Sequence, residues 1–518
     1  MEVYLIKVES KKFSKRLYPE TFGDLTLNLL GAIVKRAGHE PLLAKPSVLG
    51  RDPLRLDSTL ENLISDDPGK VICFSTNAGN IRDSVELARQ ISQRTNYNKI
   101  IFGGPTFDQL SSRILMEDYP FIDYTVPGHG EKTLPRLLST AVSGETPTDV
   151  KGLFYRVNGA IVSSPGIELL SDTELDNSPF PLMTGLKNVP YKDRQHIKVL
   201  IRTSTGCNGF CTFCYLPVKK WSKMSAEKVG ELFDHYTKEG FRKFIIIDDN
   251  FIGKDSERAR EIALRLRATK ESYPDFAFEF DARADSFGSY VDNQFDDGLI
   301  DELKKSGLEK IFVGIESGNN DDLRLFRKSI KSIDALKQNV YFLEKIKPHY
   351  LEIIPGFVML NDNSTFSQVR ENIDFVGSYL PGQISPEIYC YALSYYPGAE
   401  LTRKKFSELV AKGETAKARK LVYGNYEIEY KDSRIRDFSV LLDQVKKRFS
   451  SLDEQLPDDE ASLNRIKKAG NESLGAVHTK FFREYANMAE TGRFYFTDSI
   501  IESHYYSVER IVKSSLSD

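Results

Sequence analysis

Cysteine is scarce: the 518 residues hold five, at 73, 207, 211, 214 and 390, too few for a disulfide scaffold in a chain of this length. A surplus of either charge is also lacking. Lys plus Arg number 71 against 74 Asp plus Glu, a formal net charge of -3, which argues against a protein whose main task is to neutralise a phosphate backbone, so nucleic acid is not an expected partner. No apolar run approaches the ~20 residues that cross a bilayer. The longest, such as Val71-Ile72-Cys73-Phe74 and Phe244-Ile245-Ile246-Ile247, are strand-sized. The opening MEVYLIKVESKK lacks the apolar core and small-residue cleavage site of a secretory signal, so a cytoplasmic protein without membrane contact is expected. Internal repeats and low-complexity segments are missing too. What is present, 40% hydrophobic and 28% charged residues, suffices for several cores and two to four domains.

Up to about residue 150, short apolar runs alternate with amphipathic helical stretches, the pattern of a doubly wound parallel sheet. Strands are expected at Val3 to Ile6, Val71 to Phe74, Lys99 to Phe102 and Tyr124 to Val126, with helices from Leu25 to Ala37 and from Ile81 to Thr95. The later strands end in Ser75-Thr76-Asn77-Ala78-Gly79, Gly103-Gly104-Pro105-Thr106 and Gly128-His129-Gly130-Glu131, where glycine lets a ligand approach the backbone at the carboxyl edge of the sheet. A hairpin from Gly152 to Val162 and a Pro-rich connector around Pro179-Phe180-Pro181 follow. From His196 a second series begins, with strands expected at Lys198 to Ile201, Lys243 to Ile247, Phe276 to Phe280, Lys310 to Gly314, Leu351 to Ile354 with Phe357 to Met359, and Ile388 to Leu393. Six β/α units in about two hundred residues predict an incomplete barrel. Beyond Pro397-Gly398 the chain reads as a charge-rich helical cap, with helices at Leu401 to Leu421, Asp437 to Phe449, Leu463 to Lys468 and Ala476 to Ala489. The expected division is therefore 1–145, a linker 146–195, 196–400 and 401–518.

Three of the five cysteines lie in Cys207-Asn208-Gly209-Phe210-Cys211-Thr212-Phe213-Cys214, a C-x3-C-x2-C directly after the first strand of the second series. Three thiolates on one loop can hold three irons of a cubane cluster and leave the fourth open, whereas a structural zinc site wants four closed ligands. No fourth cysteine is near, and His196 and His235 lack paired spacing.

At this motif the sequence resembles the radical S-adenosylmethionine (SAM) superfamily, whose signature is C-x3-C-x-aromatic-C, with Phe213 in the aromatic slot. The resemblance extends over about 196–400, through Ile247-Asp248-Asp249-Asn250-Phe251, Phe280-Asp281-Ala282-Arg283-Ala284-Asp285, Gly314-Ile315-Glu316-Ser317-Gly318, Ile353-Ile354-Pro355-Gly356 and Tyr396-Pro397-Gly398-Ala399. It implies a 4Fe-4S cluster on Cys207, Cys211 and Cys214, and SAM contacts from Phe213, Asp249, Arg283, Glu316 and Ser317. The plainer readings are a strand-to-helix cap for Asp248 and Asp249, a surface ion pair for Arg283, and turn amides satisfied by Glu316 and Ser317.

Residues 1–145 resemble the cobalamin-binding domain that precedes the barrel in the class B radical SAM methyltransferases, through Leu27 to Glu40 with its Ala37-Gly38-His39 turn, Gly103-Gly104-Pro105 and Gly128-His129-Gly130-Glu131. Cobalamin contacts are implied for Ser75, Thr76, Gly103, Gly104, Thr106, Gly130 and Glu131. The D-x-H-x-x-G motif that supplies a lower cobalt ligand elsewhere is absent, so base-off binding without a His ligand is implied. His39 then reads as a helix-end residue, His129 as a loop residue and Cys73 as a small core hydrophobe. The plainer reading is a doubly wound domain without a ligand.

The fold class expected is α/β: a Rossmann-like cobalamin-binding domain, a partial (β/α)6 radical SAM barrel and a C-terminal helical domain. The resemblance implies a cobalamin-dependent radical SAM enzyme, a C-methyltransferase at an unactivated carbon that uses a 5′-deoxyadenosyl radical and methylcobalamin. The alternative is a cyclase, ring-contraction or rearrangement enzyme with the same cofactors. A methylthiotransferase would carry a second three-Cys cluster in a domain that here has only Cys73, and a pure binding module is the fourth reading. Expected partners are a small-molecule or peptide substrate and an external flavodoxin- or ferredoxin-like electron donor, acting on a monomer. No catalytic side chain is assigned. Tyr389 and Cys390 face either the cavity or the outer helices according to register.

Overall fold

The computed structural model describes residues 1–9, 24–46, 60, 69–94, 99–143, 145, 147–216, 219–328, 334–380, 386–453, 460–491 and 498–517. They form two compact units. The first comprises Met1–Ala282, Asp297–Ile311 and Tyr395–Tyr426, and the second Arg283–Asp296, Phe312–Ser394 and Glu427–Asp518.

The first unit opens with β1 (Glu2–Ile6), α1 (Leu25–Arg36), β2 (Glu40–Ala44), β3 (Lys70–Ser75), α2 (Ile81–Arg94), β4 (Lys99–Gly103), α3 (Gln109–Asp118), β5 (Tyr124–Val126), α4 (Gly130–Ser143) and the hairpin β6 (Phe154–Val157) and β7 (Ala160–Ser163). The strands make one sheet in the order β2-β1-β3-β4-β5-β6-β7. Pairing is parallel from β2 to β5 and antiparallel in the last two. Alternate residues feed different cores: Tyr4, Ile72, Phe74, Ile100 and Phe102 pack together in one, and Val3, Leu5, Val71, Cys73 and Ile101 in the other. Burial on both faces is why these strands read as continuous apolar runs.

Two features went unread in the sequence. The strand β2 contains Pro41 and lies at the sheet edge, where a missing N–H breaks no ladder. The hairpin, expected as part of a linker, extends the same sheet through β5.

The turn ending α1 follows its sequence signal. Gly38 has φ +82°, its N–H donates to the Lys35 carbonyl at 3.0 Å, and the His39 N–H reaches the Val34 carbonyl at 3.2 Å, which satisfies two otherwise orphaned carbonyls.

The second series starts in the same unit with β8 (Lys198–Ile201), α5 (Ala226–Thr237), β9 (Lys243–Ile246), α6 (Ser256–Ser272), β10 (Ala277–Arg283), α7 (Asp297–Lys305) and the first half of β11 (Leu308–Glu316). The pairs β8–β9 and β9–β10 are parallel. Helices at Glu400–Ala411 and Thr415–Val422 belong to this unit too; Gly413 (φ +79°) breaks what the sequence pattern presents as one helix.

In the second unit β11 continues beside β12 (Glu352–Phe357), with α8 (Ala335–Ile346) and α9 (Phe366–Tyr379). The sixth strand expected at Ile388 to Leu393 is, among the described residues, a 3-10 turn over Pro386–Cys390 followed by a single bridge, Leu360 to Ala392. Packing accounts for the turn. The Tyr389 ring stacks on Phe482 at 4.5 Å and its hydroxyl lies 3.0 Å from Thr479 Oγ1, so Tyr389 faces the helices, and Cys390 is buried with its thiol toward the Pro386 carbonyl. The tail forms α10 (Ser433–Asp453), α11 (Glu460–Glu490) and α12 (Asp498–Ser517); α11 joins the two helices expected at Leu463 to Lys468 and Ala476 to Ala489, and α12 was not expected.

Candidate active site

In the first unit the carboxyl ends of β3, β4 and β5 border a cavity of about 360 Å³. Its walls include Ser75, Thr76, Gly103, Gly104, Gly130 and Glu131 from the sheet, and Arg202, Ser204, Thr205, Gly206, Tyr215 and Asp249 from the second series. Cys73 lies at its floor, buried, with its thiol pushed up to about 12 by that burial. Of the expected cobalamin contacts, only Thr106 is set back: it is 2% exposed and its hydroxyl lies 3.5 Å from that of Thr76.

The glycines differ in what they permit. Gly104 has φ +133°, and a Cβ there would stand 2.0 Å from the Thr76 carbonyl oxygen. Close packing of two backbone turns therefore demands this glycine, not ligand approach alone. At Gly130 a Cβ would meet only Leu30, at 3.6 Å.

The cluster loop is anchored by the first of two adjacent aspartates. Asp248 accepts from the Thr203 N–H and hydroxyl, both at 2.6 Å, and from the Ser204 hydroxyl at 2.7 Å, while Arg258 Nη2 donates to the Thr203 carbonyl at 3.0 Å. Asp249 instead accepts from the Gly206 N–H at 3.1 Å and opens onto the cavity. Asp249 lines that cavity, and burial, then Asp248 beside it, pushes its carboxyl up to about 7. Burial and the same two aspartates push Asp281 up to about 8.

Gly206 (φ +76°) is required where it stands, since a Cβ would lie 2.1 Å from the Lys220 carbonyl oxygen. Cys207, Cys211 and Cys214 are partly exposed on the loop that follows, and the Gly209 N–H donates to Cys207 Sγ at 3.3 Å. Phe213 is half-buried between them. Among the described residues no three His, Cys, Asp or Glu side chains already converge as a ligand set, these thiols included.

Four polar atoms in the cavity wall stand out, on residues that sequence reasoning either missed or assigned to a loop. Arg202 Nη1 lies 2.6 Å from Glu131 Oε1, but Arg202 Nε and Nη2, Thr205 Oγ1 and His129 Nδ1 are shut off from solvent without a hydrogen-bond partner. Burial pushes Glu131 up; Arg202 and then His129 outweigh it and hold the carboxyl below its usual range. Burial likewise pushes His129 down, against the pull of Glu131. The one cue to Arg202 in the sequence is a charged residue between a strand end and the cysteine loop.

In the second unit Arg283 is 8% exposed and forms a two-pronged pair with Asp285, Nε to Oδ1 at 2.8 Å and Nη2 to Oδ2 at 2.9 Å, a buried pair where a surface one was the plainer reading. Glu316 sits at φ +71° with its carboxylate 3.2 Å from Lys328 Nζ. Ser317 is fully buried, its hydroxyl held by Asn372 at 2.8 Å and Asp322 at 3.1 Å. The glycines flanking them face protein: a Cβ at Gly314 would lie 2.4 Å from Glu316 Oε1, and one at Gly318 2.3 Å from Phe375 Cβ.

Residues 201–376 match the family profile of the radical SAM superfamily. This part of the chain is a radical SAM domain. The chain's fold is that of the cobalamin-dependent members: it is similar to the cobalamin-dependent SAM radical enzyme OxsB solved with aqua-cobalamin and SAM bound, at a TM-score of 0.72 and 17% identity, over 100% of this chain and 80% of that one. The radical SAM methyltransferase TsrM of Kitasatospora setae, with cobalamin and a 4Fe-4S cluster, superposes with a TM-score of 0.55 at 15% identity over 72% of each chain. In sequence, the chain is 26% identical to an uncharacterised methyltransferase of Pyrococcus horikoshii over 72% of this chain and 77% of that protein. It is 24% identical to 4′-phospho-dehydrooxetanocin synthase of Priestia megaterium over 69% of this chain, and spans only 49% of that relative. No helix among the described residues is long and apolar enough to cross a membrane.

Proposed function

We propose that the protein is a cobalamin-dependent C-methyltransferase. The observation that carries this reading is one cavity bordered both by the carboxyl ends of β3 to β5 and by the loop that bears the cysteines, through Gly206 and Tyr215. The residues fit a corrinoid there. The open backbone at Gly130 admits a flat ligand, and the unpartnered donors of Arg202, Thr205 and His129 call for one. Cys207, Cys211 and Cys214 fit a cluster with one open iron, and an N–H donating to Cys207 Sγ is a bond that tunes such sulfurs. SAM contact by Phe213, Asp249, Arg283, Glu316 and Ser317 rests on the resemblance of their motifs.

When bound, these groups supply a hydrogen-abstracting carbon radical and a transferable methyl. The chain's own contribution is to line the cavity with Leu30, Val126 and Leu134, which limit water there, and to hold protons near neutral pH on Asp249 and Asp281. A radical rearrangement without methyl transfer is the second reading, supported by a relative, matched over 69% of this chain, that is named a synthase rather than a methyltransferase.

The test is an anaerobic turnover with reductant and methyl-deuterated SAM against small-molecule and peptide candidates. S-adenosylhomocysteine and 5′-deoxyadenosine should appear in near-equal amounts, and the product should gain a CD3 group. Substrate-dependent 5′-deoxyadenosine without matching S-adenosylhomocysteine, and a product of unchanged carbon count, would replace methyl transfer with rearrangement.

A further inference from the structure

We propose that Arg202, Thr205 and His129 form a carboxamide-binding wall, by which the start of the radical SAM domain grips the amide side chains that rim a corrin ring. The inference rests on the reading that a corrinoid occupies the cavity of the first unit, and it goes further by assigning the ring a second set of holders outside the Rossmann-like sheet. Arg202 follows the last residue of β8, and Thr205 lies three residues on, in the short ladder of Ser204–Thr205 with Ser222–Lys223. His129 comes from the turn between β5 and α4, and Glu131 from the first turn of α4.

The pairing of Arg202 decides what the wall can hold. Glu131 takes Nη1 at 2.6 Å, which leaves Nε and Nη2, the two N–H groups that project in parallel from one edge of the guanidinium. Both are buried without an acceptor, as is the Thr205 hydroxyl. A parallel pair of donors can take two oxygens of a carboxylate or phosphate, or converge on the single oxygen of an amide, so charge must choose. The guanidinium is already matched by Glu131, and Asp249 lines the same cavity. Lys7, which also lines the cavity, is paired with Asp24 at 2.7 Å, so a further anion would set two or three acidic groups around Arg202 in a poorly solvated space. A neutral amide escapes that penalty. It also brings N–H groups, which suit His129: burial pushes the imidazole pKa down, and a neutral ring can present Nδ1 as donor or acceptor according to tautomer.

The experiment is equilibrium binding of corrinoids to the full-length apoprotein, followed by absorbance, with no turnover required. Two variants keep the fold under control: Thr205→Val removes only the hydroxyl, and Arg202→Lys keeps a cation opposite Glu131 while losing the parallel donors. Hydroxocobalamin binding should weaken about 2- to 10-fold in Thr205→Val and about 10-fold or more in Arg202→Lys, with melting temperatures close to wild type. The same factors should appear with cobinamide, which keeps the ring amides and lacks the nucleotide tail. Wild-type protein should bind cobalamin monocarboxylic acids, each with one amide replaced by a carboxylate, no more tightly than hydroxocobalamin. Unweakened variants, weakening confined to cobalamin and absent with cobinamide, or preference for a monocarboxylate would each overturn the amide wall while leaving the corrinoid reading in place. A wild-type protein that binds no corrinoid would sink that reading itself.

Discussion

Gly104 and Gly130 look alike in the sequence, each at the carboxyl end of a strand where a ligand is expected, yet their surroundings predict opposite outcomes for the same substitution. In Gly104→Ala the new Cβ starts 2.0 Å from the Thr76 carbonyl oxygen and 3.0 Å from its carbonyl carbon and nitrogen, at φ +133°. Neither turn can yield cheaply, because the Thr76 N–H is itself bonded to the Gly103 carbonyl at 2.8 Å. Backbone strain of this kind costs about 1–3 kcal/mol, and displacing one turn from the other brings the total to about 3 kcal/mol or more. For a unit of some three hundred residues that lowers the melting temperature by roughly 4 °C or more. Gly130→Ala meets only the end of Leu30, in ordinary contact at 3.6 Å, at the first position of α4. Its expected stability change lies within about 0.5 kcal/mol, or is slightly favourable.

Melting curves of the two apoproteins and wild type, followed by hydroxocobalamin titration, separate the roles. The expected result is a large loss of stability in the first variant, and weakened corrinoid binding without loss of stability in the second. Equal melting temperatures for Gly104→Ala and wild type would refute the backbone argument. Undiminished corrinoid binding by Gly130→Ala would refute close approach at that turn.

Changing Cys211 to Ala should abolish both the iron–sulfur absorbance after anaerobic reconstitution and reductant-dependent SAM cleavage; ordinary cleavage by that variant defeats the cluster assignment. A second expectation concerns pH. His504, buried against Phe481 and 3.0 Å from His478, is pushed down to about 2 by burial and then by its partner. An unfolded histidine titrates near 6.5, so below that pH the unfolded chain binds a proton that the folded chain does not, and stability falls by about 1.4 kcal/mol per pH unit, or about 2 kcal/mol at pH 5. His504→Phe should flatten this slope in melts at pH 7 and pH 5, and an unchanged slope would place the acid sensitivity elsewhere.

The cysteine motif, the parallel strands and the glycine-marked turns were legible because each is a local pattern. What escaped notice depends on partners distant in the chain. Asp248 and Asp249 are adjacent and chemically identical, yet one ties Thr203 and Ser204 in place and the other opens on the cavity; only the register at the end of β9 separates them. The turn at Pro386–Cys390 shows the same limit. Ile388 to Leu393 has strand-like composition, but Tyr389 is captured by Phe482 and Thr479, some ninety residues later in the chain. Ser317 sits in a motif expected to meet a ligand, and its hydroxyl is bonded to Asn372 and Asp322, a pairing no spacing rule reveals.

Arg202 carries the lesson into the chemistry. A lone arginine at a strand end usually reads as a solvated charge, and near-neutral overall charge gives no reason to look further. In the cavity the charges cancel locally: Lys7 lies 2.7 Å from Asp24, Arg202 is matched by Glu131, and Asp249 titrates only near neutrality. With its charges cancelled and its walls largely aliphatic, the space offers little to a polyphosphate and much to a large neutral ligand whose periphery hydrogen-bonds.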